Sequence, residues 1–302
     1  MVTTAPPDLS VVVASVESSR ILEQALSALC ASGAGLEIEV WVVDGSRDDS
    51  ARRARAFGPP VRVIEREPGT LVPSLWAEGI RRSTGSVVAL TTGHCVVPRD
   101  WAPGLVEAVR EGAAAAGAGI VPLPSARALD CAICYLRYAG FLETTRGGRR
   151  PVEDLPGDNV AYAGPSLRDF VQEHPEGFWE LDYHRELHAR GQALWAVPAA
   201  TAGFGRSYPF GTILHHRFEH GRRFGASRAR SGAVAKARVV VPAPLVPLVL
   251  LARAGRQALR FPEHRRRFLS AVPSFVALAT AWAAGEAIGA LVGVPSTAGD
   301  SA

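Results

Sequence analysis

The first 112 residues alternate short apolar runs with amphipathic stretches, a pattern that few folds can bury. The runs are Val11-Val12-Val13, Glu37-Ile38-Glu39-Val40-Trp41-Val42-Val43, Val61-Arg62-Val63-Ile64 and Ser86-Val87-Val88-Ala89-Leu90. They have strand length and β-branched content. Between them, Arg20 to Cys30 carries Ile21, Leu22, Ala25, Leu26 and Leu29 at helical spacing. Ser50 to Phe57, Leu71 to Arg82 and Trp101 to Gly112 continue the helical series. Strands joined through helices run parallel, and the helices then cover both faces of the sheet. The sequence therefore predicts an α/β domain built on a mostly parallel sheet flanked by helices.

Composition supports a folded chain and narrows its class. At 47% hydrophobic and 21% charged residues, 302 residues bury a real core, which excludes disorder. Cys30, Cys95, Cys131 and Cys134 are too scattered for a secreted disulfide framework, and Cys131-x-x-Cys134 lacks the second pair of a zinc site. Met1 to Ser10 carries no Lys or Arg, and the apolar run after it is too short for a signal peptide. The net charge of +4 is local. Arg253, Arg256, Arg260, Arg265, Arg266 and Arg267 stand against Glu263 alone, which leaves the remaining chain near neutrality. A basic patch beside a hydrophobic segment points to anionic lipid, not to nucleic acid.

A mean hydropathy of +0.09 directs attention to the C-terminus. Val239 to Ala252 is apolar but interrupted by Pro242, Pro244 and Pro247, the pattern of an interfacial piece. Phe268 to Val294 has spanning length with Glu286 as its one ionisable residue, which predicts a transmembrane helix. The expected organisation is a catalytic domain over residues 1–228 and a membrane-associated region over 229–302. Arginines flanking a span stay inside, so a cell-membrane location with a cytoplasmic catalytic domain is expected.

Chemistry concentrates in a few places. The run Val40 to Val43 ends in Asp44-Gly45-Ser46-Arg47-Asp48-Asp49-Ser50, at the strand end where open α/β sheets bind ligands. A carboxylate there suits a nucleotide, although Asp48, Asp49 and Ser50 equally suit a helix cap. Trp179-Glu180-Leu181-Asp182 opens a helical stretch, Glu180 to Arg190, that Gly191 closes. His215 to Arg223 sets three histidines and three arginines within nine positions. Arginine forks match phosphate oxygens.

Together these segments resemble the family 2 glycosyltransferases. Leu9 to Val13 followed by Val42 to Ser50 resembles the opening strand and the "VVDDGSxDxT" turn of that family's GT-A nucleotide-sugar domain. Gly85 to Leu90 resembles the strand leading to its metal-binding DxD. Gly157-Asp158-Asn159-Val160-Ala161-Tyr162 resembles "GxNxAxR", Glu180 to Gly191 resembles "EDxDLxxRLxxxG", and His215 to Gly225 resembles the closing "H…QGR" region. The resemblance covers about Leu9 to Gly225.

It implies an inverting transfer of a sugar from a nucleoside diphosphate sugar to a lipid-linked or glycan acceptor at a membrane, with C-terminal membrane-associated helices. Glu180 falls on the family's catalytic Asp as general base, with Asp182 assisting. Val13, Ser15, Glu17, Asp44, Ser46, Thr92, His94, Arg222 and Arg223 fall on the donor side. Gly157, Asp158 and Asn159 fall on the acceptor side. The chain departs from the family at Thr92-Gly93-His94, where DxD is expected, and at Trp76-Ala77, where Arg-Asn is expected. A divalent metal, Mn2+ or Mg2+, would fall to His94 and His216; otherwise His94 donates directly to the diphosphate. The damaged DxD also keeps open a catalytically degenerate scaffold in a glycan-assembly complex.

Overall fold

The computed structural model describes residues 6–205, 209–228 and 233–293, without the side chains of 233–235. It divides into two compact units, Met1–Ser125 with Phe141–Arg206, and Ala126–Gly140 with Ser207–Ala302. This division sets residues 207–228 and 126–140 apart from the catalytic part expected over 1–228.

In the first unit the chain alternates as expected: β1 (Leu9–Ser15), α1 (Leu22–Ser32), β2 (Ile38–Asp44), α2 (Ser50–Arg55), β3 (Val61–Glu65), α3 (Val72–Arg82) and β4 (Val87–Thr92). After β5 (Cys95–Val96), α4 (Trp101–Arg110), β6 (Ala115–Gly117) and β7 (Ile120–Pro122), α5 (Ala128–Tyr138) crosses into the second unit. The first unit resumes with β8 (Arg150–Val152), β9 (Asn159–Ala163), α6 (Gly164–Glu173), α7 (Glu180–Ala189), β10 (Leu194–Ala196) and β11 (Ala202–Phe204).

Eight strands form one sheet in the order β3-β2-β1-β4-β9-β6-β10-β8. The first four run parallel, β9 runs antiparallel between β4 and β6, and β8 closes the far edge antiparallel to β10. All seven residues of β1 are buried, so Val11, Val12 and Val13 run together instead of alternating with polar residues, and the buried Ser10 hydroxyl donates to Glu39 at 2.6 Å. Leu75, Trp76 and Ile80 of α3 pack on one face of the sheet with Tyr162, Phe170, Phe178 and Tyr183. A smaller sheet has the order β5-β11-β7.

The second unit is helical: α5, α8 (Phe210–Arg228), α9 (Ala233–Val240), α10 (Val246–Ala258) and α11 (Pro262–Val292). The prolines of the expected interfacial piece sit where helices begin. Pro242 and Pro244 fall at a 3-10 turn over Ala243–Leu245, and Pro247 in the first turn of α10. The predicted 268–294 helix starts earlier and takes in Arg265, Arg266 and Arg267; Val294 lies outside the described residues. Lys236–Ala258 and Pro262–Val292 are long and apolar enough to cross a membrane, by length and composition.

Helices α8 and α11 meet backbone to backbone. A Cβ added at Gly221 or Gly225 of α8 would lie 2.1 or 1.9 Å from the carbonyl oxygen of Trp282 or Glu286. Added at Gly285 or Gly289 of α11, it would lie 2.0 or 1.9 Å from the carbonyl oxygen of Phe218 or Arg222. Two glycines four residues apart on each helix thus form the crossing. Glu286 is buried beside them and accepts from the Arg228 guanidinium at 2.7 Å.

Candidate active site

The carboxyl ends of β1, β2 and β4 lie side by side, and the loops that leave them are tied together by hydrogen bonds. Asp44 ends β2 opposite Ser15 of β1 and is 3% exposed. Its Oδ1 accepts from the Ser46 hydroxyl at 2.7 Å and its Oδ2 from the Ser46 amide at 3.3 Å. Burial pushes its carboxyl above the usual range, and the Ser15 and Ser46 contacts only partly offset that. Ser46 Oγ in turn accepts from the Glu17 amide at 2.8 Å, and Glu17 Oε1 accepts from the Arg47 amide at 2.9 Å. Glu17 is held at φ 51°, a left-handed conformation costly for a side chain of this size. Asp48 accepts from the Ser19 amide at 3.1 Å and from the Ser50 amide at 3.0 Å, so it ties the β1–α1 loop to the first residue of α2, whose N-cap, Asp49, makes no side-chain cap bond. Val13, by contrast, is core, paired between Val42 and Thr91.

Thr92 closes β4, and the turn after it is bound to the same loop. His94 Nε2 donates to the Val16 carbonyl at 2.9 Å, which places that proton inside the protein. Trp76 occupies the expected Arg-Asn position and donates its indole N–H to the Thr91 carbonyl at 3.0 Å, bracing the same turn from α3. Among the described residues, no three His, Cys, Asp or Glu side chains converge to hold a metal ion. Thr92 and Gly93 supply no carboxylate, and the His94 nitrogen that faces Val16 is already used. Among the described residues, this turn therefore offers no paired carboxylates of the kind that bridge a divalent ion to a diphosphate. His216, the other expected ligand, lies on α8 in the second unit together with Arg222 and Arg223.

A second cluster surrounds Glu180. This residue opens α7, and its carboxyl lies over Gly157, where a Cβ would stand 2.9 Å from the Glu180 Cδ. Only glycine lets the 157–159 turn approach so closely. Burial pushes the Glu180 carboxyl up, and the Asp158 and Asp154 charges push the same way against an opposing contribution from His184. One helical turn on, His184 is buried and held from both sides. Its Nδ1 donates to Asp154 at 2.6 Å, leaving Nε2 to accept from the Tyr162 hydroxyl at 2.8 Å. Tyr162 is fully buried and keeps its proton, because burial and the Glu180 charge raise it well above the usual phenol range. Asp182 points outward and pairs with Arg185 at 2.8 Å on its own helix.

Asn159 takes no part in this surface. Its Oδ1 accepts from the Trp101 indole at 2.7 Å and its Nδ2 donates to the Ala118 and Ala200 carbonyls, each at 2.9 Å. The side chain therefore ties β9 to α4, to the chain just after β6 and to the turn at Pro198–Ala200. Sequence reasoning missed Asp154, Tyr162 and His184. A signal existed, since His184 stands four residues after Glu180 and on the same helix face.

Residues 10–127 match the family model described as "Glycosyl transferase family 2". This segment holds β1, Asp44 and the turn after β4. Over that segment the chain is similar to family 2 glycosyltransferases. Among solved structures, TarS of S. aureus (residues 1–349, in complex with UDP-GlcNAc) aligns over 89% of each chain at 11% identity with a TM-score of 0.51. The mannosyltransferase PcManGT from Pyrobaculum calidifontis, in complex with GDP-Man and Mn2+, aligns over 91% of this chain and 87% of its own at 16% identity with a TM-score of 0.49. The TarS alignment shows that the chain has a GT-A-like fold. None of the curated protein sequences compared with this chain matches it. The family match ends before the Glu180 cluster, which rests on its own geometry.

Proposed function

We propose that the chain is a membrane-associated, inverting glycosyltransferase that moves a sugar from a nucleoside diphosphate sugar to a lipid-linked or glycan acceptor, with its catalytic unit on the cytoplasmic side. The observation that carries this reading is Glu180, a half-buried carboxylate over the Gly157 turn with its basicity raised by its surroundings. In an inverting transfer the acceptor hydroxyl oxygen forms a bond to the anomeric carbon, while the bond from that carbon to the diphosphate oxygen breaks. Glu180 accepts the hydroxyl proton, and the nucleoside diphosphate leaves with the bonding pair. Asp44, at the carboxyl end of the sheet, is assigned to the donor nucleotide, with the Ser46 and Glu17 contacts fixing its carboxylate. No step is assigned to a metal, or to the α8 cations.

Titration of the purified chain with UDP-, GDP- and dTDP-sugars, with and without manganese, tests the donor side. Asp44→Ala is expected to raise the donor Kd about tenfold or more, on the order of 1.4 kcal/mol. Unchanged donor binding would remove Asp44 from the site. Glu180→Gln is expected to lower turnover about 10²–10⁴-fold while leaving donor affinity in place. A variant retaining a third of wild-type turnover at saturating substrates would remove the base.

The missing DxD carboxylates favour one second reading, a catalytically degenerate scaffold in a membrane glycan-assembly complex. A wild-type chain that binds a nucleotide sugar but turns none over, with any acceptor and at any metal concentration, would establish it.

A further inference from the structure

The 153–158 segment joins β8 to β9 and carries the Gly157 turn over which the Glu180 carboxyl lies. Glycine permits that approach but does not enforce it, because it offers the carboxylate no attraction. Charge opposes it, since Asp154 and Asp158 stand near Glu180 and repel it. A tie from α7 to this segment is therefore needed, and His184 supplies one. It follows Glu180 by one helical turn, on the same face of α7. Its Nδ1 holds Asp154, which precedes Gly157, and its Nε2 holds Tyr162, which follows it. Tyr162 is itself fixed in the sheet, paired with Val88 of β4 and Ala115 of β6. Asp154 Oδ1 also accepts from the Leu155 amide at 2.9 Å, which sets the direction in which the chain enters the turn. The imidazole is 3% exposed, and burial keeps water from its two nitrogens.

We propose that His184 is a positioning residue: through Asp154 and Tyr162 it brackets the Gly157 turn and holds it against Glu180, so that an acceptor hydroxyl set on the turn meets the carboxylate within reach of its proton. The inference rests on the reading of Glu180 as the base and deepens it. His184 takes no proton from the acceptor, because both its nitrogens are engaged, one as donor and one as acceptor. Its contribution is geometry, and displacement of a base is costly: about 1 Å of misplacement lowers a rate about 10²-fold. His188, one helical turn further on, donates to the Glu153 carbonyl at 2.8 Å. That bond is exposed and lies on one side of the turn only, so it ties the same segment without bracketing the turn.

The test compares two substitutions at Asp154, whose side chain is 36% exposed, so neither leaves a cavity in the core. Asp154→Asn and Asp154→Ala remove the same charge near Glu180, but only the amide keeps an oxygen for the His184 Nδ1–H. Turnover of the full chain is read on the plateau above the acid limb, where Glu180 is ionised in every variant. Asp154→Ala is expected to lower plateau turnover about tenfold or more while leaving donor Kd in place, and Asp154→Asn to stay within about threefold of wild type. Tyr162→Phe, which loses only the hydroxyl, and His184→Phe, which loses both bonds, are expected to fall with Asp154→Ala. His188→Ala is expected to stay near wild type. Hydrogen exchange reads the same contacts without activity. The turn is closed by the Asn159 amide donating to the Pro156 carbonyl at 3.0 Å. The amides of Gly157 to Asn159 should exchange faster in Asp154→Ala and not in Asp154→Asn. Equal plateau turnover in the two Asp154 variants, whether high or low, would overturn the proposal, and so would unchanged exchange in Asp154→Ala. Failure of the underlying reading shows itself differently: Glu180→Gln then retains turnover, while the difference in exchange between the two Asp154 variants remains.

Discussion

Glu180 and Asp182 are two acids on the same first turn of α7 with opposite surroundings. Asp182 is exposed and paired with Arg185, so its charge is satisfied where it stands. Glu180 is turned inward, against Gly157 and near Asp158 and Asp154, with His184 as the opposing neighbour. The sign for catalysis follows directly. A carboxyl raised by burial and negative neighbours is protonated at pH values where an ordinary Glu is ionised, and only the ionised form accepts a proton. The acid limb of kcat/KM is therefore expected above the usual carboxylate range. Asp158→Asn removes one of the charges that raise it, so the limb should move to lower pH. A pH–rate profile of the two proteins checks this; a lower rate with an unmoved limb would mean that Asp158 only packs. Residues of this kind differ in how far the sequence exposes them. Asp44 was legible because it ends the apolar run Val40 to Val43, and a strand end is a position as well as a residue type. Asp154, Tyr162 and His184 were not, because their contact is made between a loop, β9 and α7, which the sequence separates. Asn159 was legible as a polar residue in a turn but not as an inward clamp, since its partners are an indole on α4 and two carbonyls.

At the scale of elements, the crossing of α8 and α11 is the least expected feature. The sequence displays two glycines four apart on each helix, but nothing in it pairs the polar α8 with the apolar α11. The pairing explains why an arginine- and histidine-rich segment forms a regular helix at all. Its Gly221 and Gly225 remove the side chains that would hold the backbones apart, and Arg228 meets the buried Glu286. Gly225→Leu is expected to destabilise the second unit by about 2–3 kcal/mol or more, because relief of the clash with the Glu286 carbonyl requires the helices to separate. Gly211, on the same helix, has nothing within 4 Å of an added Cβ. Gly211→Leu is thus an internal control, expected within about 0.5 kcal/mol of wild type. Thermal unfolding of both variants decides the matter, and equal midpoints would show that the crossing carries no stability.

For the whole molecule, the open choice is whether the second unit crosses the membrane or lies on it. Length favours crossing: the 31 residues of α11 extend about 46 Å at 1.5 Å per residue, more than a bilayer core. Charge argues for attachment to one face. Arg265, Arg266 and Arg267 occupy the first turns of α11, and from Trp282 onward α8 lies against its backbone. Along α8 stand Arg217, Arg222, Arg223 and Arg228, which a hydrocarbon core accepts only at high cost. Between these two charged regions remain residues 268–281, about 14 positions, a length that suits an interfacial helix better than a span. Meanwhile Val241, Leu245, Leu248 and Val249 expose apolar surface over α10 and the turn before it, which is the surface an interfacial helix buries among lipid tails. The expectation is attachment to one leaflet. High salt alone should fail to strip the chain from membranes, whereas Leu245→Glu with Leu248→Glu should move most of it to the soluble fraction. A reporter fused to the C-terminus should then score on the same side as one fused to the N-terminus. Opposite sides would establish a span, and α8 with its arginines would have to separate from α11 to permit it.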